Sequence, residues 1–456
     1  MSEREEGGRN RFQWTEEDAQ APERAIVLVP DFQIRPDGES ASERSREARL
    51  AEACGLARAI DLDIVESGIV PVKAIKPGTL FGTGKIDEIA GIIKAGDIGL
   101  AVIDHALSPV QQRNMEKAWN CKVLDRTGLI LEIFGDRART KEGRLQVDLA
   151  QLNYQKGRLV RQWTHLERQR GGAGFMGGPG ETQIEADRRE IQAKILKLER
   201  ELEKVRKTRQ LHRSTRRKVP HPVVALVGYT NAGKSTLFNH MTGAGVLAKD
   251  MLFATLDPTL RQLELPQGTR VILSDTVGFV SNLPTHLVAA FRATLEEVIE
   301  ADLILHVRDI SDPDTEAQAS DVYDILEQLG VGQGGHEKVI EVWNKIDRLA
   351  PEAVEDMRSL RSAGQEAPFL VSAITGEGIE PLRARIEEII AGEDAVFTLA
   401  MPPAELARLS ALYDKAVILE RDDLEDGSVM VKVRAPESIR QQYSAFMAEG
   451  IRQEPH

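Results

Sequence analysis

The sequence predicts an α/β protein: an N-terminal α/β unit, an antiparallel helical hairpin, a second α/β unit with a mostly parallel sheet, and a small α+β unit. Three observations carry this. Short apolar runs such as Val223–Val227 alternate with stretches of helical period, the rhythm of parallel strands joined by helices. Between about residues 145 and 217 the apolar spacing changes to steps of three, four and seven. At 456 residues the chain is long enough for about three separate cores.

Composition narrows the class. The chain has 59 Lys and Arg against 72 Asp and Glu, a net charge of −13, and is 41% apolar, which excludes collagen, a disordered tail protein and a membrane bundle. Cys54 and Cys121 stand far apart in no Cys-x-x-Cys pair, so neither a disulfide framework nor a thiolate metal site is expected, and a cytoplasmic setting fits. Residues 1–24 read as a flexible, polar start without a signal-peptide core, and no run approaches the ~18 apolar residues of a membrane span.

The first unit, 25–140, opens on Ala25–Val29, a buried strand. Its clearest βαβ segment runs from the strand at Ile98–Ile103 through Ser108-Pro109-Val110-Gln111, a capping box with Pro at the first helical position, to a strand at Lys122–Leu124. Gly82-Thr83-Gly84-Lys85 lacks the spacing of a phosphate loop and reads as a turn before a helix. No complete motif supports a second, ATP-binding site in this unit.

The hairpin, 141–218, places Leu145, Leu149, Leu152, Leu159, Trp163 and Leu166 on one stripe and Ile184, Ile191, Ile195, Leu198, Leu202 and Val205 on the other. Residues 151–220 hold 18 basic and eight acidic residues, a local +10, which leaves −23 for the rest of the chain. A basic arm on an acidic body suits a polyanion contact, against the simpler reading of a solvated helix pair. The tip, Gly171 to Gly180, contains Phe175 and Met176 and is flanked by Arg168 and Arg170 on one side and Arg188 and Arg189 on the other. Stripped backbone such as Gly172, two apolar residues and four arginines suit close approach to RNA better than a mere linker.

The second α/β unit, 219–393, carries the chemistry. Val223–Val227 leads into Gly228-Tyr229-Thr230-Asn231-Ala232-Gly233-Lys234-Ser235 and a helical Thr236, the full Gly-x4-Gly-Lys-Ser phosphate loop between strand and helix. Backbone amides face phosphates, Lys234 neutralises the β and γ groups, and Ser235 takes Mg2+. A strand at Val271–Ser274 ends in Asp275-Thr276-Val277-Gly278, where the carboxylate can hold the Mg2+ shell and the Gly278 amide can sense a γ-phosphate. Asn344-Lys345-Ile346-Asp347 follows a strand at Val339–Val342. A buried carboxylate at Asp347 would accept from guanine N1–H and the 2-amino group, which adenine cannot supply. Ser372-Ala373 after Phe369–Val371 offers an amide to guanine O6. These four elements in order imply a P-loop GTPase that binds GTP and GDP.

Between the phosphate loop and Asp275 a Thr should reach Mg2+ and the γ-phosphate. Thr255 in Phe253-Ala254-Thr255-Leu256-Asp257 is the choice, with Thr259 second. Lys234, Thr255 and Gly278 are the candidate catalytic set. Phe279 stands where many GTPases place a water-orienting Gln, so slow unaided hydrolysis and help from a partner are expected. Asn231 either shapes the turn or helps bind a monovalent cation such as K+. The last unit, 394–456, shows strand-like Ala395–Leu399, Val417–Leu419 and Val429–Val433 around a helical Leu406, Leu409, Leu412 spacing, without recognisable chemistry.

The glycine-rich segment from Arg170 to Gln183, with Phe253–Asp257 and Asp275–Phe279, resembles the HflX family of ribosome-associated GTPases over nearly the whole chain. The resemblance implies binding to the large (50S) ribosomal subunit, with the N-terminal unit and hairpin directed toward rRNA near the peptidyl transferase region. It further implies GTP-dependent separation of subunits to rescue stalled ribosomes. A monomer is expected. It assigns Gly228 to Thr236 to phosphates, Ser235 and Thr255 to Mg2+, Phe253 to Asp257 and Asp275 to Gly278 to the switches, and Asn344 to Asp347 with Ser372 to Ile374 to guanine. A ribosome-assembly GTPase and a protein-only signalling switch are the alternatives.

Overall fold

The computed structural model describes residues 22–32, 44–169, 179–216, 221–244, 252–253, 255–256, 258–281, 292–331, 338–361, 368–392, 394–413, 416–424 and 426–447; some of these, including 160–169 and 209–216, are described by backbone alone. The chain divides into two compact units, 1–136 with 151–193 and 137–150 with 194–456.

In the first unit, β1 (Arg24–Phe32), β2 (Asp63–Val72), β3 (Leu100–Ile103) and β4 (Lys122–Asp125) form a sheet in the order β2-β1-β3-β4, every pair parallel. Helices α1 (Arg46–Arg58), α2 (Thr83–Gly96), α3 (Pro109–Trp119) and α4 (Arg126–Arg137) connect and follow the strands. Six consecutive residues of β1 are buried, as expected where helices cover a parallel sheet on both faces. Ile26, Ile103, Ile89, Met115 and Trp119 share the core. The capping box forms as expected, with Ser108 and Gln111 exchanging hydrogen bonds, and Gly82 is the residue before α2. At the end of β4 the buried Asp125 accepts from the Leu107 and Gly128 amides, the Tyr154 hydroxyl at 2.5 Å and Arg158 at 2.7 Å.

Tyr154 and Arg158 lie on α5 (Lys141–Gln169), whose partner is α6 (Pro179–Arg216). Lys156 Nζ donates to Gln192 Oε1 at 2.5 Å, joining the two helices. Leu145, Ile195 and Leu202 of the expected stripes are buried, and Leu152, Leu159, Ile191 and Leu198 are half-buried. The expected tip ran to Gly180, but Pro179 and Gly180 belong to the first turn of α6, where a fixed φ and a missing N–H cost the helix nothing.

The second unit contains a six-stranded sheet in the order β10-β9-β8-β5-β7-β6, made of β5 (Val223–Val227), β6 (Thr259–Glu264), β7 (Arg270–Asp275), β8 (Leu303–Asp309), β9 (Val339–Asn344) and β10 (Phe369–Leu370). Only the β6–β7 hairpin is antiparallel. Helix α7 (Lys234–Thr242) follows β5, and Leu226, Phe238, Leu273, Leu305 and Val342 lie in one core. A third, antiparallel sheet, β11 (Asp394–Met401), β12 (Val417–Asp423) and β13 (Val429–Pro436), has β13 in the middle. Here β12 extends four residues beyond the expected Leu419, because backbone pairing with β13 carries its exposed polar half. No described helix is long and apolar enough to cross a membrane.

Candidate active site

The carboxyl ends of β5, β7, β8 and β9 bring the sequence motifs together, the usual position for a ligand on an open parallel sheet. Gly228 has φ +148°, and a Cβ there would stand 2.1 Å from the Val307 carbonyl oxygen, so only glycine fits. Gly233, at φ +91°, leaves no more room: its Cβ would lie 2.2 Å from Asn344 Nδ2. Asn231 is exposed with φ +60°, a left-handed conformation that Asn tolerates and one that suits its turn role. Lys234 is buried at the start of α7, and its Nζ donates to the carbonyls of Gly228 at 3.0 Å and Tyr229 at 2.7 Å. Burial lowers its pKa to about 8; Asp275 opposes the shift and Lys345 adds to it.

Asp275, fully buried at the end of β7, gathers the hydroxyls. Its Oδ2 accepts from Ser235 Oγ at 2.7 Å and Thr255 Oγ1 at 2.9 Å, and the two hydroxyls are 3.0 Å apart. Burial raises the Asp275 pKa against the pull of the Ser235 bond, the Lys234 charge and the Thr255 bond. Its Oδ1 is buried without a hydrogen-bond partner. An orphaned carboxylate oxygen beside two hydroxyls is a hard-oxygen donor set that fits Mg2+. Thr255 therefore meets Ser235, whereas Thr259 starts β6 in register with Asp275. Phe253, at φ +56°, and Leu256 bury their side chains on either side of Thr255; Ala254 and Asp257 lie outside the described residues.

The segment after Asp275 is stitched to the phosphate loop. Thr276 Oγ1 donates to the Leu226 carbonyl at 2.5 Å, and Val277 is buried. The Thr230 amide donates to Phe279 O at 2.8 Å and the Phe279 amide to Gly228 O at 3.1 Å. Gly278 sits between them: a Cβ on it would be 2.8 Å from Thr230 Cγ2, 2.9 Å from Thr230 Cα and 3.1 Å from Lys234 Nζ. The Phe279 side chain is 1% exposed, a core residue and no substitute for a water-orienting Gln. The hydroxyl of Thr230, one of the expected phosphate-loop residues, is buried without a partner.

Asn344 bridges two loops, donating from Nδ2 to the Ala232 carbonyl at 2.8 Å and accepting the Ala373 amide on Oδ1 at 3.0 Å. Asp347 Oδ1 accepts from Ser372 Oγ at 2.6 Å. One expectation is corrected: Asp347 is exposed, because it stands on the short turn Ile346–Arg348 beyond the end of β9. Ile374, next to Ala373 in sequence, is 68% exposed. Lys345, in the left-handed region at φ +67°, sends its ammonium to Asp309 at 2.7 Å, both groups being buried. Asp309 lay outside every motif. Of the RNA-contact candidates, Arg188 and Arg189 are exposed on α6; the Arg168 side chain and Arg170, Gly172, Phe175 and Met176 lie outside the described residues.

Four family models match in series: GTP-binding GTPase N-terminal over residues 47–135, GTP-binding GTPase Middle Region over 137–216, 50S ribosome-binding GTPase over 223–345 and HflX C-terminal domain over 358–453. The GTPase HflX of Magnetococcus marinus is 46% identical over 95% of this chain and 97% of its own length. The chain belongs to the HflX family. The GTPase HflX of Escherichia coli is 47% identical over 80% of this chain and 84% of its own, and the putative GTP-binding protein 6 of Xenopus laevis 36% over 91% and 78%. Among solved structures, a GTP-binding protein from Sulfolobus solfataricus in complex with GDP aligns at 22% identity and a TM-score of 0.45, over 81% of this chain and 99% of its own. As an HflX-family P-loop GTPase the protein binds guanine nucleotide and hydrolyses GTP, and such enzymes generally use Mg2+.

Proposed function

We propose that the GTP form of this protein binds the large ribosomal subunit in the cytoplasm, as a monomer, and dissociates or rescues stalled ribosomes, with hydrolysis driving release. The observation that carries the reading is the positive balance of α6, which holds eleven Lys and Arg against seven Asp and Glu and exposes Arg188, Lys197, Arg200 and Lys204, on a chain whose net charge is −13. Phosphate attraction is local, so such a helix grips RNA while the acidic remainder discourages indiscriminate binding. The match to 50S ribosome-binding GTPases over the nucleotide site supports the same reading.

In this reading Lys234 neutralises the β- and γ-phosphates, Gly278 senses the γ-phosphate, and Asn344, Asp347 and Ala373 read guanine. Ser235 and Thr255 would hold Mg2+, with Asp275 behind them; the ion supplies charge neutralisation between the β- and γ-phosphates. Thr255 and Gly278 hold their inward positions while the γ-phosphate is present, and its loss removes the differential affinity for the ribosome. Phe279 offers no water-positioning group, so a ribosome-supplied restraint accelerates hydrolysis.

Co-sedimentation with ribosomes under a non-hydrolysable GTP analogue, GDP and no nucleotide tests this. Binding and subunit separation only with the analogue are expected. Equal binding in all three conditions overturns the reading, and binding confined to immature large subunits makes the protein an assembly factor.

A further inference from the structure

The segment just past Gly278 meets the phosphate loop through backbone bonds and through the side chain of Tyr229. The backbone part is the parallel bridge between Tyr229 and Phe279. The side-chain part is the Tyr229 hydroxyl, which accepts the Ser281 amide at 2.8 Å. Tyr229 is buried and Ser281 half-buried, so the contact lies at the edge of the core, where a lost partner costs part of its desolvation. We propose that Tyr229 is a positioning residue for GTP hydrolysis, its hydroxyl fixing the chain at Ser281 so that Gly278 stays on the phosphate loop.

The geometry between these contacts supports the assignment. Gly278 is wedged against Thr230 and lies near Lys234 Nζ, and any drift of residues 279–281 moves its amide relative to that ammonium. A displacement of about 1 Å in a reacting geometry lowers a rate on the order of a hundredfold. In a chain with Phe279 buried in the core, no side chain at that position corrects such drift. Main-chain bonds from Gly228 and Thr230 hold Phe279, but two residues later the Tyr229 hydroxyl takes over. A tyrosine suits the task because a rigid ring carries its acceptor well beyond its own backbone.

The proposal stands on GTP hydrolysis by the family and needs no ribosome, so its test separates it from the ribosome reading. The Tyr229→Phe variant keeps the ring and its packing and removes one oxygen. With the full chain and no ribosomes, single-turnover GTP hydrolysis should fall about tenfold. Affinity for a fluorescent non-hydrolysable GTP analogue should drop several-fold while that for the matching GDP stays within about twofold, since only the γ-phosphate feels Gly278. Hydrogen exchange at the Ser281 amide should accelerate in the variant. A hydrolysis rate within about twofold of the parent overturns the proposal, as does equal weakening of both nucleotides or unchanged Ser281 exchange.

Discussion

A Cβ added at Gly278 would press on Thr230, main chain included, at under 3 Å, so the fit there is decided by space and not by backbone angle. Gly278→Ala is expected to push the segment off the phosphate loop and cut hydrolysis about a hundredfold, with thermal unfolding changed by only a few degrees, as for a modest overpacking. Hydrolysis close to the parent rate would show that the loop adapts. Asp347→Asn should exchange guanine for xanthine nucleotides, because an amide donates where guanine also donates; competition binding with GDP and XDP measures this, and an unchanged guanine preference would sink the assignment. Both positions were legible in the sequence because motif spacing fixes them. Asp309 was not: its pairing with Lys345 depends on β8 and β9 being neighbours in the sheet, and residue order along the chain carries no mark of that adjacency. The exposure of Asp347 was likewise misjudged, since burial at the rim of a sheet depends on where the strand stops.

At the level of elements, α5 and α6 follow from apolar spacing alone, and Lys156 reaching Gln192 closes them into a pair. Replacing Arg188 and Arg189 by Ala should weaken ribosome binding and lower the slope of log affinity against log salt by roughly one to two, since each contact releases about one counterion. An unchanged slope would show that these arginines touch no phosphate. Element edges were harder to read. Pro179 and Gly180 look like loop but open α6, and the polar end of β12 looks like turn but pairs with β13, because local composition competes with hydrogen bonding to a distant partner.

Across the second unit, the β6–β7 hairpin links the nucleotide site to the third sheet. One end carries Asp275; at the other, the buried carboxylate of Glu387, on the helix Ile379–Ala391, accepts the Gln267 and Thr269 amides at 2.7 and 3.0 Å. Arg434 of β13 donates to the side chain and the carbonyl of Gln267. Glu387→Ala strands two amides and should cost about 2–5 kcal/mol of stability. Denaturant unfolding is the measurement, and a loss under about 1 kcal/mol would show that water replaces the carboxylate.

By itself the sequence determined the α/β class, the helical pair, the phosphate loop and the guanine motif, because each is written in spacing that local geometry obeys. The sequence already favoured Thr255 over Thr259; tertiary structure alone decided that Thr255 and Ser235 share the Asp275 carboxylate, that Asn344 ties two loops together, and that the Tyr229 hydroxyl meets Ser281. Those contacts join residues brought together by strand order and burial, and one-dimensional spacing does not encode which distant atoms share a few ångströms of space.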